Sequence, residues 1–420
     1  LLILPGPEII QISLVEGLAL RFFFSSKILK NLAIILAILS IALGTAIIEI
    51  AISVTSGFEK QIQAKVTGFV SDIQIKSYFA EAIDTLEPLK LPSNYCEFLL
   101  RSHKTVSSCY PYLQRSAILK SGEYLEGIEL KGVSQSWDSA FIYQNLKQGK
   151  LIHFSEEQSS QEILVSKKIA SRLSLSVGDK ARLYFLERGK VRVRPVRVSG
   201  IYETGLLEFD QTVVFCDIRL LQKLVGWSEK NYQGLEIHLK KPSSSQERFQ
   251  LAKQINLKLG SAIKAYTADQ MYEDIFQWLS LQRQHVFFIL VFMIVVAIIN
   301  MAGAMIILII EKISFIGLLK ALGATHFFIQ KIFLFQAFVI ISLSVGLGNL
   351  LAFVLLYVQD NYKIIAMDPD AYFLKTVPID WAWGEFLKAN LLVIGVATLA
   401  MFLPTVYVTQ IEPSKALKIN

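Results

Sequence analysis

Where the apolar residues fall decides most of what this chain can be. Four runs are long enough to cross a bilayer: 32–54 near the N-terminus, then 286–310, 332–358 and 391–408 in the C-terminal third. A hydrocarbon core takes about 20 apolar residues in helical form, and a helix satisfies its own backbone there. Between the first and second runs lies a long polar, mixed stretch, 55–285. The predicted fold class is a membrane protein with four transmembrane helices, arranged one plus three, and a large α+β domain inserted between helices one and two.

Composition agrees. The 420 residues are 53% hydrophobic and 18% charged, below the roughly 25% charged typical of soluble domains. The net charge of +7 would suit nucleic acid only if basic residues formed a stripe with interleaved aromatics. They do not, so no nucleic-acid partner is expected. The first apolar run is too long, and starts too far in, for a cleavable signal peptide, and it reads as a retained helix. Because Leu1 rather than Met opens the chain, the true N-terminus is expected to be missing or to use an unusual start codon.

The basic residues orient the helices. Arg21, Lys27 and Lys30 precede the first run, Lys312, Lys320 and Lys331 fill the loop between the second and third, and Lys415 and Lys418 follow the fourth. The other short loop carries Asp360, Asp368, Asp370, Asp380 and Glu385. Both termini and the loop at 311–331 are thus expected in the cytoplasm, with the large domain and the loop at 359–390 outside. Segment 1–31 is an amphipathic lead-in on the inner membrane face, and 409–420 a cytoplasmic tail. Of the three cysteines, Cys96 and Cys109 can pair, whereas Cys216 sits in the strand-like run TVVFCDI and reads as a buried thiol. An odd count prescribes no disulfide framework.

Helical periodicity continues beyond the lipid. Phe58, Ile62, Val66 and Phe69 after the first run, and Met271, Ile275 and Trp278 before the second, put apolar side chains on one helical face. They predict stalks that extend the membrane helices outward, with stripes able to pack on each other or on a partner. Strands are expected at VSDIQIK, CYPYLQRSAILKS, YLEGIELKGV, KARLYFL, VRVRPVRVSGIY and QTVVFCDI, and around Ile237 and Ile263. Helices are expected at VSKKIASRLSL, DIRLLQKLV and SQERFQLAKQINLKLG. Their interleaving suggests two α+β lobes.

Catalytic chemistry is poorly represented. The chain has no GxxxxGK[ST] nucleotide loop. His103, His153, His238, His285 and His326 form no metal-ligand spacing, and no nucleophile constellation appears. No catalytic residue, metal site or cofactor of its own is expected. The loop from Glu311 to Lys331 stands out instead, with Ile313, Ile316, Leu319 and Leu322 on one helical face and Gly317 and Gly323 permitting close approach and a turn. It fits either an interfacial helix resting on the membrane or a docking knob for a cytoplasmic partner.

Inside the apolar runs, Glu49 lies about 8 Å from the outer end of the first helix. An intramembrane carboxylate is a functional candidate. It can snorkel to the headgroups, pair across the bundle or meet the cationic part of a substrate. Asn300 reads as an interhelical hydrogen bond, and Ser342, Gly346, Gly348 and Ala352 as small-residue packing. Ile48, Glu49, Ile52, Phe287, Phe288 and Val291 lie near the outer ends of helices one and two, and fit either ordinary lipid-facing and helix-packing positions or a groove for acyl chains.

Several passages carry a family resemblance. ILIIEKISFIGLLKALGATHFFIQKIFLFQA, together with ALRFFFSSK, VTSGFEKQIQAKVTGFVSDIQI, ILVSKKIASRLSLSVGDKARLYF, GIYETGLLEFDQTVV, DPDAYFLKTVPI and LPTVYVTQIEPSKALK, resembles lipoprotein-releasing ABC permeases of the LolC/LolE type, within the group that contains the MacB and FtsX permeases. The resemblance covers nearly the whole chain. It implies a multi-pass permease of the bacterial inner membrane with a periplasmic domain and stalks. A separate cytoplasmic ABC ATPase would bind ATP and Mg, and a second permease, copy or paralogue, would complete the assembly. Glu311, Lys312, Ile316, Gly317, Lys320, Leu322, Gly323 and Ala324 would belong to the coupling helix seated on the ATPase. Lipoprotein substrates would be drawn from membrane lipids and passed towards the outer membrane through a periplasmic carrier. The alternative is an FtsX/MacB-like permease that transmits motion to a periplasmic partner or exports peptides. One departure concerns the carrier: the LolC branch has a long proline-bounded hook, whereas FLERGKVRVRP at 185–195 is short and basic, which suits a plain hairpin tip.

Overall fold

The computed structural model describes residues 32–78, 87–92, 94–187, 190–240, 243–368 and 372–409. The lead-in at 1–31 and the tail beyond 409 lie outside them. Among the described residues, four helices are long and apolar enough to cross a membrane, and contacts divide the chain into two units. The helical unit takes the chain up to Phe58, Leu279–Ile365 and the chain from Val377 onward. The outer unit takes Glu59–Trp278 and Ala366–Thr376.

In chain order the elements begin with α1 (Leu32–Val70), β1 (Ile73–Ser77), α2 (Tyr95–Ser102), β2 (Val106–Ser121) and β3 (Tyr124–Val133). Next come α3 (Ala140–Gln144), β4 (Leu146–Gly149), β5 (Glu162–Ser166), α4 (Lys167–Arg172), β6 (Lys180–Glu187) and β7 (Lys190–Tyr202). Then follow α5 (Leu207–Thr212), β8 (Val213–Asp217), α6 (Ile218–Val225), β9 (Gly234–Leu239), α7 (Ser245–Asn256), β10 (Ile263–Thr267) and α8 (Ala268–Met271). The chain returns to membrane-length helices with α9 (Glu273–Glu311), the short α10 (Ile313–Ala321), α11 (His326–Tyr362), α12 (Trp383–Ala400) and α13 (Phe402–Thr409).

Both α1 and α9 have 39 residues, about 58 Å at the helical rise and well beyond a hydrocarbon core. The predicted spans 32–54 and 286–310 are therefore parts of longer continuous helices. In the helical unit, the core gathers Ile34, Ile41 and Ile48 with Met301, Met305, Ile340 and Ala397. Small residues let backbones approach. A Cβ on Gly348 of α11 would lie 2.5 Å from the Ala42 carbonyl of α1, and one on Gly44 would lie 2.8 Å from Met293. The buried small stripe is Ser344, Gly348 and Ala352, one face at four-residue spacing. Of the four residues expected there, Gly346 is turned outward, because two residues along a helix are about 200° apart. Asn300 of α9 donates to Ser40 Oγ of α1, the interhelical bond expected of it.

The outer unit is built on one ten-stranded pairing network. Strand β2 is long enough to serve two cores. Its first half lies beside β9, and β10–β1–β9–β2 form a four-stranded antiparallel array. That array buries Ile73, Ile75, Val106, Ile237 and Ala265, with Leu99 of α2 and Leu251 and Ile255 of α7. Its second half pairs with β3 and β6. The pairs β3–β8, β8–β5, β5–β7 and β7–β6 close a ring of six strands. Leu113, Leu119, Leu130, Ile163, Leu183, Val198 and Val214 share one core there, covered by α4 and α6. The two expected lobes are thus two cores sharing one strand.

Two sequence readings agree with the structure. Cys96 and Cys109 form a disulfide with Cα atoms 5.4 Å apart, while Cys216 is a buried free thiol. The pairing follows from α2, a helix absent from the sequence reading, which lays Cys96 over β2. The stretch at 185–195 is a regular hairpin registered from Lys180↔Arg197 to Glu187↔Lys190. With two residues between Glu187 and Lys190, it has no room for a hook. Arg188 and Gly189 lie outside the described residues.

Candidate functional site

The segment expected to couple to an ATPase is a helix between two sharp turns. Helix α9 ends at Glu311, Lys312 stands at the N-cap of α10, and α10 runs nine residues to Ala321. Leu322 is its C-cap and Gly323 has φ +87°. The Gly323 amide donates to Lys320 O and the Ala324 amide to Leu319 O, which is a Schellman ending that favours glycine at the left-handed position. Thr325 then caps α11 by accepting from the Phe328 amide. Two residues separate one helix's cap from the next.

This turn changes the expected face. Ile316 is fully buried, Gly317 is buried, and Leu319 packs on the bundle core. Leu322 does not join them: the helix stops one residue earlier, and the side chain is 76% exposed. The apolar residues turned outward are Leu318, Leu322 and Phe327. Leu318 and Phe327 were missed by the sequence reading, because a single apolar face was assumed where both faces carry leucine. Ala324 packs against the core, Glu311 is exposed, and Lys312 and Lys320 are half-buried.

The residues expected to form an outer-leaflet groove divide between two environments. Ile48 lies in the bundle core with Ile52 packed beside it. Glu49 is 4% exposed and accepts from Asn390 Nδ2 of α12 at 3.0 Å. With the Asn349 amide of α11 turned to satisfy its neighbours, its nitrogen lies 2.6 Å from Glu49 and its oxygen accepts from Asn390. Farther along α1, Ser53 donates to Asp380 O at 2.9 Å and Ser56 to the Asp380 carboxylate. This seam ties α1 to the α11–α12 hairpin and closes Glu49 inside. Phe287, Phe288 and Val291 of α9 remain exposed. Asn349 and Asn390 also escaped the sequence reading, although an asparagine within or beside an apolar run is the available signal.

Residues 34–256 match the family described as MacB-like periplasmic core domain, and 287–413 match the FtsX-like permease C-terminal family. The chain belongs to the MacB/FtsX permease family. Among curated relatives of this permease, the LolC lipoprotein-releasing transmembrane protein of Xylella fastidiosa is 20% identical over 398 residues, 91% of this chain and 92% of that one. The LolE protein of Haemophilus influenzae is 22% identical over 403 residues, 90% and 92% of the two chains. The solved periplasmic region of MacB from Actinobacillus actinomycetemcomitans is 15% identical, covers 48% of this chain and 91% of its own, and has a TM-score of 0.34.

As a permease of this family, the chain is an ABC transporter permease subunit of LolC/LolE type. Among the described residues no cluster of His, Cys, Asp and Glu has the makings of a metal site.

Proposed function

We propose that this permease releases lipoproteins from the outer leaflet of the inner membrane, driven by a separate cytoplasmic ATPase bound at α10. Similarity to LolC and LolE proteins along about nine-tenths of both chains, outer domain included, carries the reading. Two structural features support it. The Cys96–Cys109 disulfide belongs to an oxidising compartment, which agrees with the orientation given by the basic flanks. Leu318, Leu322 and Phe327 are exposed apolar side chains on α10, its cap and the start of α11, and an apolar knob of this kind can seat in a partner's groove.

In this reading ATP and Mg stay with the partner ATPase, and the second permease is a copy or a paralogue. Exposed Phe287, Phe288 and Val291, with Ile52 at the edge, face the acyl chains, where each buried methylene contributes about 0.8 kcal/mol. Ile48 and Glu49 hold the helix seam. The regular β6–β7 hairpin favours delivery to a periplasmic carrier through another surface than a hook.

Leu322→Asp in the reconstituted complex should lower ATPase co-purification about ten-fold or more, since it puts a charge at the centre of the knob, while membrane insertion is unchanged. Proteoliposomes of the unmodified complex should release a triacylated lipoprotein on ATP addition. Unchanged ATPase binding rejects the knob. ATP hydrolysis without lipoprotein release favours the FtsX/MacB-like alternative of motion transmitted to a periplasmic partner or peptide export.

A further inference from the structure

Three passages far apart in sequence meet at one side chain in the outer unit. Lys65, on the stalk part of α1, donates from Nζ to Thr204 O at 2.6 Å and to Phe373 O at 2.7 Å. Thr204 begins the turn after β7, and Phe373 belongs to Ala366–Thr376, the piece of the α11–α12 connection that clusters with the outer unit. Both bonds are charge-assisted and stronger than neutral ones.

The receiving turn is built in detail. The buried Asp210 carboxylate accepts from Thr204 Oγ1 at 2.8 Å, from Gly205 N at 2.9 Å and from Thr204 N at 3.1 Å. Gly205 has φ +75°, and a Cβ there would lie 3.0 Å from Lys65 Nζ and 3.4 Å from Phe373 O. Glycine is needed both for the backbone and for the approach. The opposing segment is equally specified. Phe373 has φ +60°, a conformation that a non-glycine residue keeps only when its surroundings hold it. Leu374 next to it is 4% exposed. Lys375 Nζ lies 3.5 Å from Glu203, and Met367 N donates to Lys375 O to close the loop.

We propose that Lys65 is a positioning residue that fastens Ala366–Thr376 to the outer unit, so that this segment follows the α1 stalk during the transport cycle. The connection between α11 and α12 then becomes a third path by which movement of the outer unit reaches the membrane helices, besides α1 and α9. The inference deepens the permease reading and rests on it for its link to transport. The fastening itself does not depend on which substrate is moved.

The test uses the full permease–ATPase complex with Cys216→Ser as background. Leu374→Cys reports undocking of the segment, and Leu119→Cys in the six-stranded core reports unfolding of the domain. In Lys65→Met, an impermeant maleimide should label Leu374→Cys about ten-fold faster or more, as expected for losing two bonds to a charged donor. Labelling of Leu119→Cys should stay within about two-fold. ATP-driven lipoprotein release should fall while basal ATP hydrolysis is retained. Unchanged labelling of Leu374→Cys overturns the proposal, and so does equal acceleration at both cysteines, which would make Lys65 a general stability element. If the parent complex releases no lipoprotein, the substrate reading fails while the labelling ratio still decides the role of Lys65.

Discussion

The outer unit and the helical unit bury polar groups in opposite ways. In the outer unit, buried cations meet carboxylates, while the buried Asp72 and Asp210 accept from hydroxyls and backbone amides. Lys131 Nζ lies 2.7 Å from Glu236 Oε1, with both side chains at most 2% exposed. Gln74 donates to the same oxygen, and Lys131 also reaches the Phe69 carbonyl at the end of α1. Arg248, itself buried, is clasped by Asp269. In the helical unit, the one ionisable side chain buried among the described residues is Glu49, and its partners are two neutral amides. The other buried polar groups there are hydroxyls and amides, as in Gln330 with Thr405. A domain in water can afford an ion pair inside a large core, whereas helices in lipid associate through small residues and modest hydrogen bonds.

The contrast predicts a graded set of effects. The largest is expected for Lys131→Met, which strands the Glu236 carboxylate and should cost about 3–5 kcal/mol in unfolding of the purified, disulfide-intact protein. Adding Glu236→Leu should recover most of that loss. A single variant costing less than about 1 kcal/mol would mean that the pair is not desolvated as its burial implies.

Next is a pH effect in the same unit. His238 Nε2 lies 2.7 Å from Tyr110 OH, and burial, helped by the Lys131 charge, holds the imidazole pKa down to about 4. The folded protein therefore refuses a proton that the unfolded chain accepts below the ordinary value near 6.5. Stability should fall as the pH drops from about 6.5 to about 4, by up to about 3 kcal/mol from this group. The stability difference between the parent and His238→Gln, followed across that window, isolates the contribution. A difference that stays flat with pH would show that His238 takes up its proton in the folded state.

The smallest effect is expected in the helical unit. Glu49→Gln can keep one amide contact and should shift unfolding by less than about 1 kcal/mol, while Glu49→Leu, which strands two amides, should cost about 1–2 kcal/mol. If Glu49→Gln proves as damaging as Lys131→Met, the two units do not differ in the way described, and the Glu49 charge itself is required.

Legibility varied with the range of the interaction. The four apolar runs announced the membrane-length helices, and β3 at Tyr124–Val133 coincides with YLEGIELKGV, because alternation and apolar length are local signals. β5 and α2 went unseen. β5 is a short buried strand running straight into α4, and α2 has one buried residue, Leu99. The coupling segment was legible as a helix with a turn. The direction of Leu322 was not, because it depends on the helix stopping at Ala321. Glu49 was legible as exceptional, while its partners on α11 and α12 were not, since nothing local says which helices face it. The Phe69 end of the stalk stripe found its partners in its own domain, stacking with Phe209 at 4.6 Å.

By itself the sequence determined four membrane-length apolar runs, their one-plus-three spacing about a mixed α+β stretch, the lack of a GxxxxGK[ST] pattern and the turn after the short helix between the second and third runs. Each rests on composition or spacing within a few helical turns. The tertiary structure alone decided that β2 serves two cores, that Cys96 meets Cys109, that Glu49 is enclosed by Asn349 and Asn390, and that Lys65 gathers Thr204 and Phe373. These are contacts between segments as many as 341 residues apart. Their geometry is set by which surfaces can be buried together, and no local pattern encodes it.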